Sequence, residues 1–246
     1  MMNAIEIKNL TKIFRIPHER RSTLFEKILG FVRDPLEYEV LYALKNMSLT
    51  IKKGEFVAIM GPNGSGKTVL LKILSKIISP TKGKVKVYGK VVPFLELGTG
   101  FQDNLTAKEN VYLYGTILGL EKTEIKNKFD SIVDFSGLEK FMDTKLKDFS
   151  TGMRERLSFA TAIEVEGDIY LVDEALAVGD HEFRNKCVGI FDELKKQGKT
   201  LVLVSHNDKL VERVCEKTLI LDSGQIAMFG DTTRTIKKYL EFMNRK

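Results

Sequence analysis

The sequence is short of cysteine and of long apolar runs, and each shortage removes a class of protein. Cys187 and Cys215 are the only two cysteines in 246 residues, and neither belongs to a CxxC pattern. That usage implies neither a disulfide framework nor a zinc site, and it fits a reducing compartment. The longest apolar stretches run for about six residues, far below the roughly 20 that a membrane-crossing helix requires. The start, Met1-Met2-Asn3-Ala4-Ile5-Glu6-Ile7, has no basic stretch followed by an apolar one, so no secretion signal is expected. On this reading the chain works at a membrane only by docking onto another protein. No internal repeat, low-complexity tract or long linker is visible.

What is present suffices for a full core. Hydrophobic residues make up 43% of the chain and charged residues 29%, consistent with one cytosolic unit with sub-lobes. Lys and Arg number 39 against 33 Asp and Glu, a formal charge of +6. The excess either leans toward anionic partners such as nucleotides, phospholipid head groups or nucleic acid, or is simply a solvated surface.

Short β-like runs alternate with helical patterns, which indicates an α/β fold with a largely parallel sheet. The clearest strands are residues 56–60, 169–172, 201–204 and 219–221. Over about 104–166 the period changes: Val111, Tyr114 and Leu118, then Phe129, Ile132, Val133 and Phe135, stand at helical spacing. This stretch is expected to be a helical lobe inserted into a single domain spanning 1–246. Within about 17–40, Thr23 and Glu26 form a capping-box pattern ahead of Leu24, Phe25, Ile28, Leu29 and Val32. An amphipathic helix is expected there, packed on its own domain or docking a partner or membrane surface. A C-terminal helix carries Ile236, Tyr239, Leu240 and Met243.

The chemistry starts at Gly61-Pro62-Asn63-Gly64-Ser65-Gly66-Lys67-Thr68, a G-x-x-x-x-G-K-[ST] motif between strand 56–60 and the helical run 69–74. Glycines at 61, 64 and 66 let the backbone turn tightly and aim several N–H groups at one spot, where the helix adds its positive end. Such a nest binds phosphates. Lys67 reaches β- and γ-phosphates as a mobile point charge, and the Thr68 hydroxyl is suited to ligate Mg²⁺.

A second strand ends in Asp173-Glu174, at the edge where a parallel sheet presents its ligand-binding groups. Asp173 is the expected Mg²⁺ ligand, directly or through water. Glu174 is placed to orient or deprotonate a water attacking the γ-phosphate. A third strand delivers Ser205-His206 to the same edge, where His206 is expected to contact the γ-phosphate.

Together these residues resemble the nucleotide-binding subunit of an ABC transporter. Between the two nucleotide motifs lies Phe149-Ser150-Thr151-Gly152-Met153-Arg154, similar to that family's signature sequence in a variant form. The resemblance implies a P-loop ATPase with a RecA-like, mostly parallel sheet, an antiparallel β subdomain and a helical subdomain. It implies a homodimer in which Ser150, Thr151, Gly152 and Met153 of one subunit close over the ATP of the other. Ala175-Leu176-Ala177-Val178-Gly179-Asp180 resembles the segment between the two sites; Asp180 is then a cross-interface contact, or else a turn residue after Gly179. An adenine-stacking aromatic is implied near the start, either Phe14 or Tyr42.

Phe94-Leu95-Glu96-Leu97-Gly98-Thr99-Gly100-Phe101, the variant signature and the 174–180 segment look like ATPases that export polysaccharides, O-antigens and teichoic acids. This resemblance covers nearly the whole chain. It departs from most transporter ATPases at Glu96, where they carry a glutamine that senses γ-phosphate and permease, and in the extra segment near 17–40. It implies ATP with Mg²⁺, a separate membrane permease, peripheral placement on the cytoplasmic face of the inner membrane, and no nucleic acid. A soluble ABC-type ATPase acting on nucleic acid or ribosomes, or a transporter subunit for another cargo, is the alternative. Nothing in the chain reads sugar directly.

Overall fold

In the computed structural model, residues 2–17, 38–95, 97–173 and 181–243 are described. The chain opens with two long strands, β1 (Asn3–Pro17) and β2 (Tyr38–Lys52), and then β3 (Phe56–Met60) runs into helix α1 (Lys67–Leu74). β4 (Lys82–Val87) and β5 (Val91–Phe94) follow. Next come three helices, α2 (Ala107–Ile117), α3 (Lys122–Ser136) and α4 (Thr151–Ile163), and then β6 (Ile169–Asp173). The rest is α5 (His181–Lys196), β7 (Thr200–Val204), α6 (Asp208–Val214), β8 (Lys217–Asp222), β9 (Gln225–Asp231) and α7 (Thr232–Met243).

These strands form two sheets: an antiparallel one of order β2-β1-β4, and a six-stranded one of order β5-β6-β7-β3-β8-β9. The first five strands of the larger sheet are parallel and β9 closes its edge antiparallel to β8. Its central strands are apolar throughout because both faces are covered. Alternation still divides them. Phe56, Ala58 and Met60 of β3, Tyr170 and Val172 of β6, and Leu201 and Leu203 of β7 face one core, packed with helices α2 to α6. Val57, Ile59, Ile169, Leu171, Val202 and Val204 face another, shared with α1 and the antiparallel sheet. The six-stranded sheet is thus sandwiched between helices α2 to α6 on one face and α1 with the smaller sheet on the other.

The helical stretch between β5 and β6 is set by local signals. The Thr106 side chain accepts from the Glu109 N–H while the Glu109 carboxylate accepts from the Thr106 N–H, a reciprocal cap on α2. Gly137, in the left-handed region, ends α3. Phe159 of α4 then ties the lobe to the sheet, its ring 5.6 Å from Phe94, 6.0 Å from Phe135 and 6.0 Å from Phe183. Both cysteines lie in this core, and burial pushes the Cys187 and Cys215 thiols up to about 12.

β1 runs to Pro17 and β2 begins at Tyr38, so the ends of the 17–40 segment belong to strands. The expected amphipathic helix falls within residues 18–37, outside the described residues. Among the described residues no helix is long and apolar enough to cross a membrane.

Candidate functional site

The three strands that precede the chemical motifs run in register, and this brings the motifs to one edge. Asp173 of β6 lies opposite Val204 of β7, and Val204 lies opposite Ile59 of β3. The glycine-rich loop after β3, the carboxylate ending β6 and Ser205-His206 after β7 therefore leave the sheet on one level, at the carboxyl ends of parallel strands. β7 stands between β3 and β6.

The loop is shaped by two close approaches. Gly61 has φ 140°, and a Cβ there would collide with the Leu221 carbonyl of β8. Gly66 has φ 104°, and a Cβ there would stand 2.5 Å from the Ala43 carbonyl oxygen and 2.8 Å from Leu44 Cδ2 of β2. Only glycine meets both conditions. The Gly224 N–H donates to the Ser65 carbonyl at 3.1 Å, fixing the loop to the β8–β9 turn. α1 starts at Gly66 without a side-chain cap, whereas α2, α4 and α6 are capped by Thr106, Ser150 and Asn207. The first N–H groups of α1 and the positive end of its dipole are thereby left for an anion.

Two side chains fit that use. Lys67 is buried, 7% exposed, and its Nζ donates to the Gly61 and Pro62 carbonyls at 3.0 Å each. The ammonium is held within the loop itself. Ser65 is 2% exposed, and its buried hydroxyl has no hydrogen-bond partner among the described residues. A buried hydroxyl without a partner costs free energy that an acceptor such as a phosphate oxygen would recover.

Thr68 and Asp173 meet directly. The Thr68 Oγ1 donates to Asp173 Oδ2 at 2.9 Å. A hydroxyl beside a carboxylate is a hard-oxygen donor pair of the type Mg²⁺ takes alongside phosphate oxygens and water. These two residues therefore fit the metal that the motif implies. His206 is exposed at the end of β7, and the Ser205 hydroxyl accepts from the Asn207 N–H at 3.1 Å. That bond turns the chain into α6 directly after His206. Glu96, Glu174 and Asp180 lie outside the described residues.

Phe14 lies opposite Leu41 and Tyr42 lies opposite Ile13. Neighbours along a strand point to opposite faces, so the two candidate aromatics sit on opposite faces of the β1/β2 ribbon. Lys12 Nζ stands 5.0 Å over the Phe14 ring. Tyr42 is half exposed and precedes Ala43, the residue that approaches Gly66.

The Ser150 to Met153 turn lies at the start of α4. Ser150 and Thr151 are exposed, and the Ser150 Oγ accepts from the Met153 N–H at 3.3 Å. A Cβ on Gly152 would meet nothing within 4 Å. Met153 packs inward against the helical core. This turn therefore presents hydroxyl and backbone outward and anchors itself by one side chain.

One contact has no local signal in the sequence. Arg154 Nη1 lies 2.6 Å from Asp103 Oδ1, and the Lys147 N–H donates to the Asp103 carbonyl at 3.0 Å. The loop that follows Phe101 is thereby tied to the start of α4. Opposite charges 51 residues apart were the only signal, and many such pairs never meet.

The ABC transporter family profile matches residues 44–177. The chain is 37% identical over 245 residues to the O-antigen export system ATP-binding protein RfbB of Klebsiella pneumoniae, covering 99% of this chain and 100% of that protein. It is 40% identical over 241 residues to the teichoic acids export ATP-binding protein TagH of Lactiplantibacillus plantarum, covering 97% of this chain and 64% of that longer protein. Among solved structures it is similar to a dimeric ATP-binding cassette in a post-hydrolysis state bound to ADP and Pi. The TM-score is 0.73 at 26% identity, covering 93% of this chain and 98% of that one.

Proposed function

The chain belongs to the ABC transporter family, and from that premise we propose that it is the ATP-hydrolysing subunit that powers export of a lipid-linked polysaccharide, of O-antigen, capsular or teichoic acid type, through a separate membrane permease. The Thr68–Asp173 contact carries the ATPase half of this reading. The full-length match to an O-antigen export subunit supports the choice of cargo.

In this reading the loop of residues 61–68 holds the phosphates, with backbone N–H groups, the Ser65 hydroxyl and Lys67 as donors. Binding requires the Lys67 ammonium to exchange its bonds to the Gly61 and Pro62 carbonyls for phosphate oxygens. Thr68 and Asp173 would hold Mg²⁺, which when bound neutralises charge on the phosphates. Glu174, next along the chain, takes a proton from water as the water oxygen bonds to the γ-phosphorus. The bond to the β–γ bridging oxygen breaks and ADP leaves with that electron pair. His206, delivered by the neighbouring strand, contacts the γ-phosphate.

The pocket is completed by a second copy of the chain. The outward turn at Ser150, with open space at Gly152, supports its closing over the partner's nucleotide, with Thr151 and Met153 shaping the turn. Asp180 is assigned to the contact between the two sites, and Glu96 to sensing nucleotide and permease. Of the two aromatics, Phe14 and Tyr42, one stacks on adenine. The subunit sits peripherally on the cytoplasmic face of the inner membrane through its permease.

The test is co-purification with the permease and measurement of ATPase activity with and without a lipid-linked glycan. Stable association and stimulation are expected. Absence of any permease association would overturn the export reading. Glu174→Gln is expected to leave an ATP-bound dimer that does not turn over; unchanged hydrolysis would remove Glu174 from its role.

A further inference from the structure

The outer face of the antiparallel sheet carries an excess of positive charge that the described residues leave largely unbalanced. Alternation along β4 puts Val85 and Val87 against the core and leaves Lys82, Lys84 and Lys86 exposed. On β1, Ile5 and Ile7 are buried, and Lys8 is exposed directly opposite Lys84 in the antiparallel register. Like charges facing each other across a sheet are unfavourable. None of the four side-chain ammonium groups has a hydrogen bond, ion pair or aromatic partner among the described residues. The carboxylate in register with them, Glu6 opposite Lys86, accepts from Asn3 Nδ2 at 2.7 Å and forms no ion pair among the described residues. Tyr88, the next alternate residue beyond Lys86, is 41% exposed.

A self-repelling row of ammonium groups gains nothing for folding, so its use is sought outside the chain. The face is a sheet rather than a groove, and its charges are lysines, point cations on flexible stems without the fork that reads a single phosphate. Diffuse attraction to a broad anionic surface suits this arrangement, and a tyrosine at the margin suits the interface between water and head groups. We propose that Lys8, Lys82, Lys84 and Lys86 form a docking face for the anionic phospholipid head groups of the membrane at which the subunit works. The proposal rests on the reading above only in placing the chain beside a bilayer.

The test uses the full chain alone, sedimented with phosphatidylcholine vesicles with or without about 30 mol% phosphatidylglycerol. Binding to the anionic vesicles only, weakening with added salt, is expected. Replacing Lys8, Lys82, Lys84 and Lys86 by Gln should reduce the bound fraction at least tenfold in partition coefficient. Replacing the exposed helical-lobe lysines Lys122, Lys126, Lys140 and Lys147 by Gln removes the same charge and should leave binding within about twofold. Lys84→Glu alone should weaken binding in the same direction should the quadruple variant fail to fold. Equal loss in both quadruple variants, no preference for anionic vesicles, or capture of a short DNA duplex in place of vesicles would each overturn the proposal. Neither permease nor turnover enters this assay, so its failure leaves the transport reading standing, and the reverse.

Discussion

Thr68 and Asp173, 105 residues apart, share a 2.9 Å hydrogen bond from hydroxyl to carboxylate. Parallel pairing of β6, β7 and β3 puts both residues at one edge, so the bond is a product of sheet register and not of local sequence. It predicts that the two act as one metal-binding unit. Thr68→Ala and Asp173→Asn should each lower Mg²⁺-dependent ATP hydrolysis at least ~100-fold. Thr68→Ser, which keeps the hydroxyl, should retain most activity. Fluorescent-nucleotide titrations with and without Mg²⁺ check the assignment: only the Mg²⁺-dependent part of the affinity should fall.

The Asp103–Arg154 pair makes a different kind of prediction. Asp103 is 62% exposed and Arg154 32%, so the bridge is worth at most about 1 kcal/mol to folding. Its place beside the Ser150–Met153 turn predicts a positioning contact. Asp103→Ala and Arg154→Ala should leave the melting temperature nearly unchanged and nucleotide affinity of the single subunit intact. Nucleotide-driven dimerisation and kcat should drop together, roughly tenfold. Exchanging the two residues, Asp103→Arg with Arg154→Asp, should restore part of the loss; a melting shift equal to the activity loss would mark the pair as purely structural.

Much of the site was legible because its residues are contiguous. The loop of residues 61–68 and its flanking strand and helix are one continuous stretch, and Asp173 and His206 follow apolar strands that alternate visibly with helices. The strand of residues 56–60 has the same limits in the structure. What could not be read is what depends on partners distant in sequence. Nothing local marks the Ala43 carbonyl as the neighbour of Gly66, or Leu221 as the neighbour of Gly61. Nor does anything local give the order β6-β7-β3, which places β7 between the strand that ends at Asp173 and the strand that leads into the glycine-rich loop. In sequence Phe14 stands at the usual position for the adenine-stacking aromatic and Tyr42 is the alternative; only the ladder shows that they lie on opposite faces.

Those distant neighbours set the cost of changing the loop glycines. Gly64 and Gly66 both have positive φ, 76° and 104°, so an alanine at either is strained by about 1–3 kcal/mol. A Cβ on Gly64 meets nothing within 4 Å, whereas one on Gly66 presses on the Ala43 carbonyl and Leu44. Gly66→Ala should therefore destabilise by about 3 kcal/mol or more, with strain and overpacking combined. Gly64→Ala should stay near the lower end of the strain range. Denaturant titration of the two variants tests the ordering, and an equal loss would mean that β2 yields to the added carbon.

Glu55 offers a test by pH. Burial raises its carboxyl pKa, but the hydrogen bond from Lys217, the Lys52 N–H and the two lysine charges outweigh that and hold it below the usual value of 4.5. Glu55 Oε1 lies 2.7 Å from Lys217 Nζ, joining the turn before β3 to the start of β8. A carboxyl depressed in the folded state binds its proton more readily when unfolded, so its stabilisation is complete above the unfolded value. It shrinks as the pH falls below that value and is gone once the pH is under the folded one. Because Lys217 is 36% exposed, solvent screening limits the effect to about 1 kcal/mol or less, a melting shift of about 2–4 °C at most. Glu55→Gln should lower the melting temperature by that amount at neutral pH. The gap to the parent protein should narrow steadily through the acid range, while a gap that stays constant down to the acid limit would show that the charge of Glu55 contributes nothing beyond its shape.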